Sequence, residues 1–411
     1  MSATDRPSCI VFGVTGSIAA CKAAQIVSEL VKAGMDVFPV LTESATRLVS
    51  ARTFQTLARH PVVTSLWDQP DWQPGHVALA ERADLLVVAP ATANILAKMA
   101  RGIADDALST QALAHEGTVL VAPAMNPRMW RHPAVQANVR ILRERGVRFI
   151  GPDSGDVACG APGEGRMVDP MVIAEAVRAQ CLALRTPRLS GRTERLLVTA
   201  GPTCEDIDRV RFLTNHSSGR MGYAIAAMGV AAGMEVTLIS GPCDLSPPPE
   251  CAFVPVRSAA DMAAAVRDHF PAADWLAMSA AVADFRPTSR REGKIAKSGN
   301  ALDAEFERTE DILEWVSNHR SAHQTVVGFA AEVDDLEERA TEKLVRKRLD
   351  WIAANDVSRD DVGFAGDNNE LLLLSHSRRI AISAAPKLEI AARLLSEIAH
   401  DARSSSAQNG L

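Results

Sequence analysis

The chain has 411 residues, 47% of them hydrophobic and 23% charged, the balance of an ordinary globular protein. At about 100–200 residues per domain, two or three domains are expected. A net charge of -6 and only 4% aromatic residues argue against a general nucleic-acid binder and against base-stacking platforms, though not against a local basic site for a phosphorylated ligand. The start has no long apolar run behind basic residues, so no signal peptide is read. No window approaches about 18 uninterrupted apolar residues, so no membrane span is expected. Seven scattered cysteines (Cys9, Cys21, Cys159, Cys181, Cys204, Cys243, Cys251), none in a CxxC pair, suit a reducing cytoplasm without disulfides or a zinc site.

In chain order, the apolar run Cys9–Val14 reads as a strand and Thr15-Gly16-Ser17 as a tight turn. Residues 18–33 read as a helix closed by Gly34, and 35–41 as the next strand. The continuous apolar runs 85–89 and 119–122 suit a parallel sheet covered on both faces. Helices are predicted at 94–100, 104–114, 132–145 and 170–184. Residues 185–195 are basic and polar without apolar periodicity, and read as a linker. The pattern then restarts with a strand at 196–199, a glycine-rich loop to Gly219, a helix at 221–232 closed by Gly233, and a strand at 235–240. Further strands are predicted at 252–256, 275–280, 325–330, 350–354, 371–375 and 378–382. Further helices are predicted at 258–269, 309–319, 334–348 and 385–401, before a frayed tail over 404–411. The expected fold class is therefore α/β: two doubly wound parallel-sheet domains, 1–188 and 189–411.

Neither opening turn is a GxGxxG, so a dinucleotide fingerprint is not met. Ligand sites still belong at the carboxyl ends of the strands, beside helix N-termini. In the first half, the Thr15 and Ser17 hydroxyls can donate to a phosphate, or Ser17 can simply cap the helix. Thr42 and Ser44 follow the second strand, and Thr92 and Asn94 follow the third. Asn126, followed by Pro127, is a good helix N-cap; its amide is also well placed to hold a substrate carboxylate. His76 alone reads as an exposed loop histidine. The segment Gly151–Met167 surrounds Cys159 with five glycines, two prolines and three acidic residues. A packing cysteine sits in an apolar element; this one reads as a thiol on a flexible lid.

Gly16-Ser-Ile-Ala-Ala20, Pro90-Ala-Thr-Ala-Asn94, Pro123-Ala-Met-Asn126 and Ala158-Cys-Gly-Ala-Pro-Gly-Glu-Gly-Arg-Met167, in this order, resemble the flavin-dependent cysteine decarboxylases, nearest to phosphopantothenoylcysteine decarboxylase. The resemblance covers about the first 185 residues, in line with the domain division. It implies a flavodoxin/Rossmann-like domain binding FMN, with Thr15, Gly16, Ser17, Thr42, Pro90, Thr92, Asn94 and Met125 around the flavin. It implies His76, Asn126 and Cys159 as catalytic residues. Cys21 departs from the pattern, since relatives carry an aromatic residue there. The implied chemistry is coherent. A cysteine carboxylate has no electron sink until its thiol is oxidised to a thioaldehyde. Loss of CO2 then leaves an enethiolate, and the last step needs a proton. An unperturbed thiol, with a pKa of about 8.5, is protonated at neutral pH, so Cys159 is assigned as acid. His76 is assigned to the oxidation half and Asn126 to the substrate carboxylate.

In the second half, Ser217-Ser218-Gly219 opens a helix after a long loop, which suits an anion. Asp284 follows an apolar strand and can be only a loop cap. Lys294 and Lys297 read as solvated on their own. Lys343 and Lys347 share one helix face, as solvent decoration or as a triphosphate clamp. Ala200-Gly-Pro-Thr203, Asn215-His-Ser-Ser-Gly219, Ala280-Ala-Val-Ala-Asp284, Lys294-Ile-Ala-Lys297, Gly328-Phe-Ala-Ala-Glu332, Lys343…Lys347 and Ala354-Asn-Asp356 together resemble phosphopantothenate–cysteine ligase. Arg220 stands where relatives commonly carry lysine. The resemblance implies a CTP-dependent Rossmann-like ligase domain. Asn215 and Lys294 would be catalytic, with Arg211 and Asn215 on the substrate. Ala280, Asp284, Lys294, Phe329, Lys343 and Lys347 would line the CTP site. Mg2+ is expected through the phosphates, with no metal ligand singled out.

Together the two resemblances imply consecutive steps on 4'-phosphopantothenate, cysteine and CTP. They also imply a cytoplasmic homo-oligomer with trimeric decarboxylase domains and dimeric ligase domains, as a dodecamer. Two rivals stand beside this reading. A nicotinamide dehydrogenase is disfavoured by the missing GxGxxG. A regulatory or binding flavoprotein of the same family is disfavoured by the presence of Asn126 and Cys159.

Overall fold

A computed structural model of the chain describes residues 6–67, 75–156, 162–186, 189, 191–290, 292–293, 304–332, 335–356 and 366–408. The chain divides into two compact units, Met1–Cys181 and Leu182–Leu411.

The N-terminal unit is built on five parallel strands: β1 (Cys9–Val14), β2 (Asp36–Leu41), β3 (Leu85–Ala91), β4 (Thr118–Pro123) and β5 (Arg148–Phe149). Their spatial order is β2-β1-β3-β4-β5. This is the flavodoxin-like order, whose switch point lies between the first and third strands. β1 and β3 are buried along their whole length, as their unbroken apolar runs require. One face packs against the Ala20–Lys32, Ala51–Ala58 and Pro170–Arg185 helices through Ile26, Leu30, Phe54 and Val177. The other packs against Ala93–Arg101, Ala107–Ala114 and Pro133–Glu144 through Ile95, Leu108 and Val139.

The glycine-rich stretch after β5, expected from its composition to be a flexible lid, is described on either side of 157–161, and Cys159 lies outside the described residues. The stretch forms an antiparallel hairpin of β6 (Asp153–Asp156) and β7 (Pro162–Arg166). Gly155, Gly163 and Gly165 lie at φ of 153°, 148° and 150°, a region essentially closed to side chains. A Cβ at Gly163 would press on Pro127, and one at Gly165 would stand 2.5 Å from the Met125 carbonyl. The glycines thus serve close packing of a strand rather than looseness. Two short helices, Glu43–Thr46 and Ala51–Ala58, and a third at Gly75–Arg82, were also not legible in the sequence.

The C-terminal unit carries β8 (Arg195–Ala200), the hairpin β9 (Cys204–Asp206) and β10 (Phe212–Thr214), then β11 (Glu235–Ser240), β12 (Ala252–Pro255) and β13 (Trp275–Met278). It continues through the pair β14 (Phe285–Pro287) and β15 (Phe306–Arg308), then β16 (Thr325–Glu332), β17 (Trp351–Asp356), β18 (Asn368–Ser375) and β19 (Arg379–Pro386). The main sheet runs β12-β11-β8-β13-β16-β17-β18-β19. The first six of these are parallel in the Rossmann order, with the switch point between β8 and β13. The last two are antiparallel, which corrects the expectation of a wholly parallel sheet. His376, Ser377 and Arg378 alone separate β18 from β19, and so short a connection makes a hairpin, whereas a parallel crossover needs a dozen residues or more. The last helix, Lys387–Gln408, runs on where a frayed tail was expected.

The helix after β8, Arg220–Ala232, is buried on nearly every side. Gly222 in its first turn sits so close to the sheet that a Cβ would stand 2.5 Å from Ala200 Cβ and 2.6 Å from Ser279 Oγ. Gly222→Ala gains about 1 kcal/mol of helix propensity but overpacks this contact at a cost of about 1–3 kcal/mol. The expected net result is a lower melting temperature, measured by thermal unfolding; a raised one would show that the contact is loose.

Candidate active site

The first switch point is fastened by one side chain. Thr15, 2% exposed, donates from Oγ1 to the Pro90 carbonyl at 2.7 Å and accepts from the Thr92 amide at 3.1 Å. The loops after β1 and β3 are therefore bolted together. Its proton is committed to Pro90, so Thr15 shapes the site rather than donating to a ligand. Thr42 and Thr92 are likewise helix N-caps, accepting from Ala45 and Ile95. Ser17 is not a cap: the helix begins at Ala20 with no side-chain acceptor, and Ser17 Oγ takes only a long 3.4 Å contact from the Ala19 amide. Gly16 is exposed and its missing side chain is required, because a Cβ would lie 2.4 Å from Ser44 Cβ. Asn94 is exposed in the first turn of the helix after β3. The loop ends thus gather an uncapped helix start, Ser17, Ser44 and Asn94 around a backbone cradle.

Asn126 behaves locally as an N-cap with Pro127 behind it: Oδ1 accepts from the Arg128 amide at 2.8 Å. Its neighbour Met125 donates its amide to the Gly165 carbonyl at 2.9 Å. The β6–β7 stem is therefore joined to the loop that carries Asn126. Cys159 lies outside the described residues. His76 lies in the Gly75–Arg82 helix rather than a loop, and its side chain is outside the described set.

The second switch point repeats the device. Asn215 Nδ2 donates to the Ala281 and Val282 carbonyls at 3.2 and 3.1 Å. Thr203, fully buried, accepts the Ala283 amide at 2.9 Å, and its carbonyl accepts from the Thr214 hydroxyl at 2.8 Å. The loops after β8 and β13 are tied, with Ala280 and Asp284 along the second of them. Asp284 is exposed, and its carbonyl receives the Thr309 amide. Arg211 is held by Asp208, a residue sequence reading missed. The Asp208 carboxylate is buried, accepts the Val210 and Arg211 amides at 2.7 Å each, and lies 3.4 Å from the Arg211 guanidinium. An Asp opening a four-residue turn, Asp-Arg-Val-Arg, was the available signal.

Lys343 and Lys347 do share a face, but they are not a free cationic clamp. Lys343 Nζ donates to the Phe329 carbonyl at 2.7 Å. Lys347, 12% exposed at its side chain, pairs with Asp311 and has Glu314 at 3.9 Å. Burial works against the Asp311 charge, yet Lys347 and the Glu314 amide outweigh it and hold that carboxyl below its usual range. Lys294 lies outside the described residues. Among the described residues, no group of three or more His, Cys, Asp or Glu side chains converges on a metal position, and no helix is long and apolar enough to cross a membrane.

Comparison with known proteins matches each unit to a family. Residues 1–182 match the flavoprotein family, and residues 191–402 match the DNA/pantothenate metabolism flavoprotein C-terminal domain. The coenzyme A biosynthesis bifunctional protein CoaBC of Bacillus subtilis is 43% identical over 395 residues, covering 95% of this chain and 96% of the relative. The chain belongs to the family of coenzyme A biosynthesis bifunctional proteins. The CoaBC of Escherichia coli K12 is 42% identical over 368 residues, covering 89% and 90%. A crystal structure of the C-terminal domain of a CoaBC protein covers 53% of this chain and 98% of its own at 39% identity, with a TM-score of 0.45. The chain is thus a bifunctional enzyme of coenzyme A biosynthesis, joining a decarboxylase half to a ligase half.

Two substitutions test the first site. Thr15→Val keeps the shape but leaves buried Pro90 O and Thr92 N unpaired, at a cost of about 2 kcal/mol. It is expected to lower the melting temperature and the flavin absorbance of the purified protein, while Thr15→Ser keeps both. Gly165→Ala is expected to detach the hairpin from Met125 and cut decarboxylation, with ligase turnover intact. Equal loss of both activities would instead mark a general folding defect.

Proposed function

We propose that the C-terminal unit joins 4'-phosphopantothenate to cysteine with CTP, through an acyl-cytidylate. The N-terminal unit then decarboxylates phosphopantothenoylcysteine to 4'-phosphopantetheine with FMN. The observation that carries this reading is the pair of bolted switch points, one in each unit, each bearing the motif set of one half of the family.

The loop ends at the first switch point suit a flavin phosphate. Gly16 leaves its backbone open, the Ala20 helix start is uncapped, and Ser17, Ser44 and Asn94 offer hydrogen bonds nearby. Thr15, Thr42, Pro90, Thr92 and Met125 shape that cradle. FMN, when bound, would take two electrons from the substrate thiol to create the thioaldehyde, the electron sink that a cysteine carboxylate lacks, and would return them as hydride after CO2 has left. Asn126 orients the substrate carboxylate beside the hairpin stem, and His76 serves the oxidation half. Cys159 donates the final proton to the enethiolate, as a thiol with a pKa of about 8.5 can at neutral pH.

In the ligase half, the phosphopantothenate carboxylate attacks the α-phosphate of CTP and pyrophosphate leaves. The cysteine amine then attacks the acyl carbon and expels CMP. Asn215 and Arg211 position the acyl-cytidylate, and Lys294 supports its formation. Ala280, Asp284, Phe329, Lys343 and Lys347 form the nucleotide side. Mg2+ is carried mainly by the phosphates, which needs no dense carboxylate cluster. Trimeric decarboxylase units and paired ligase units would assemble a cytoplasmic dodecamer.

Full-length protein given 4'-phosphopantothenate, cysteine, CTP and Mg2+ is expected to release pyrophosphate, CO2 and 4'-phosphopantetheine. Cys159→Ser is expected to slow 4'-phosphopantetheine formation by about 100-fold or more while pyrophosphate release continues. Asn215→Asp is expected to do the reverse, sparing decarboxylation of supplied phosphopantothenoylcysteine. No CO2 from flavin-loaded protein would overturn the reading.

A further inference from the structure

Three consecutive residues between β15 and the Ile312–His319 helix each hold a different element of the ligase half, and the steps above use none of them. Thr309 donates from Oγ1 to the Ala283 carbonyl at 2.6 Å and from its amide to the Asp284 carbonyl at 3.0 Å. Glu310 pairs with Arg267 of the Ala259–His269 helix. Asp311 pairs with Lys347, the C-cap of the Leu336–Arg346 helix, and caps its own helix by accepting the Glu314 amide at 3.1 Å. Ile312, 5% exposed, then enters the core cluster that holds Val316 and Leu344. Thr309 stands two residues before the helix cap, so its hydroxyl is not spent on the helix.

The Thr309 bonds complete the hold on the loop after β13. From the β8 side, Asn215 takes the Ala281 and Val282 carbonyls, and the Thr203 hydroxyl takes the Ala283 amide. From the other side, Thr309 takes the next two carbonyls, Ala283 and Asp284. The carbonyls from Ala281 to Asp284 are therefore all engaged. The Asp284 side chain is not: it is exposed, and its carboxylate has no hydrogen bond or ion pair among the described residues. A fixed backbone with one uncommitted charge is the arrangement of a presented ligand group rather than of a loop cap. Such a group serves a site only when it is held to within about half an ångström, which is what supporting hydrogen bonds do.

We propose that Thr309 is a positioning residue of the ligase reaction, fixing the backbone at Ala283 and Asp284 so that the Asp284 carboxylate meets the nucleotide at one set place. This rests on the CTP-dependent reading given above, in which Asp284 lies on the nucleotide side, and names the residue that acts through it. The same segment sets a second flank, because Asp311 fastens Lys347 two residues further on. Asp284 and Lys347 thus take their spacing from one stretch of chain, anchored in the core by Ile312.

The test is pyrophosphate release by the full-length protein as CTP and 4'-phosphopantothenate are varied in turn. Thr309→Val keeps the shape and the amide but loses the bond to Ala283. It is expected to raise KM for CTP about five- to tenfold, the size of one hydrogen bond, with KM for 4'-phosphopantothenate and decarboxylation of supplied phosphopantothenoylcysteine within about twofold. Thr309→Ser is expected to keep the wild-type CTP dependence. Asp284→Asn is expected to raise KM for CTP as well, and adding Thr309→Val to it to change that value by less than about twofold, because the charge that Thr309 places is already gone. If Thr309→Val melts early, Thr309→Ser and Thr309→Ala, which differ by one oxygen, carry the comparison. A folded Thr309→Val with wild-type CTP dependence, a loss confined to kcat, or losses that multiply in the double variant would overturn the proposal. So would a CTP dependence that Asp284→Asn leaves unchanged. Wild-type protein that releases no pyrophosphate from CTP would instead overturn the ligase reading itself.

Discussion

The N-terminal site depends on the Thr15 hydroxyl. A flavodoxin-like sheet leaves a crevice where its strand order reverses, and there the loops after β1 and β3 run away from each other. Two adjacent loops on opposite faces have no ladder to fix their spacing. Thr15 supplies it with one donated and one accepted bond in a place without water. Once those loops are fixed, Gly16 can lie against Ser44, and the Ala20 helix begins beside them with no side-chain cap. The C-terminal unit meets the same geometric problem and solves it with Asn215 and Thr203. Asn215 therefore has a structural task besides the chemical one proposed for it, and a substrate bound there would have to engage it without freeing the Ala281–Val282 loop.

The parallel cores were legible because their strands are buried on both faces. Runs such as Leu85–Ala89 and Leu196–Val198 have no polar residue to present to water, and each precedes a helix. What was not legible came from contacts distant in sequence. Thr15 reads as a donor to ligand in the sequence, because Pro90 lies 75 residues away. Lys347 reads as a free cation, because Asp311 lies 36 residues earlier on another helix. The hairpin after β5 was missed because glycine, in local terms, signals flexibility. Only its approach to Met125 and Pro127 shows that the absence of side chains there serves close contact.

Charge is distributed unevenly across the ligase sheet. On one face, the Lys347 ammonium is nearly buried and matched by Asp311, with Glu314 behind it. On the other, Arg220 pairs with Asp367, whose side chain is exposed. A buried, already matched pair has little to gain from a phosphate, because the anion must displace a carboxylate from a partly dry site. A cation held by an exposed carboxylate gives it up at little cost.

The hairpin also limits how Cys159 can act. Asp156 and Pro162 face each other as the last paired residues of β6 and β7, and Cys159 is three residues from each. Three residues span at most about 11 Å of extended chain, so the Cys159 Cα stays within that distance of either stem end whatever path the chain takes. The stem itself is held by the Gly165 carbonyl on the Met125 amide and by Arg166 on Asp153. On the proposed role of Cys159 as acid, any movement that brings its thiol to the substrate would fall between Asp156 and Pro162, while the stem stays attached to the Asn126 loop. In that proposal the acid and the residue that orients the carboxylate share one support, so the proton would reach a substrate whose position the same loop sets.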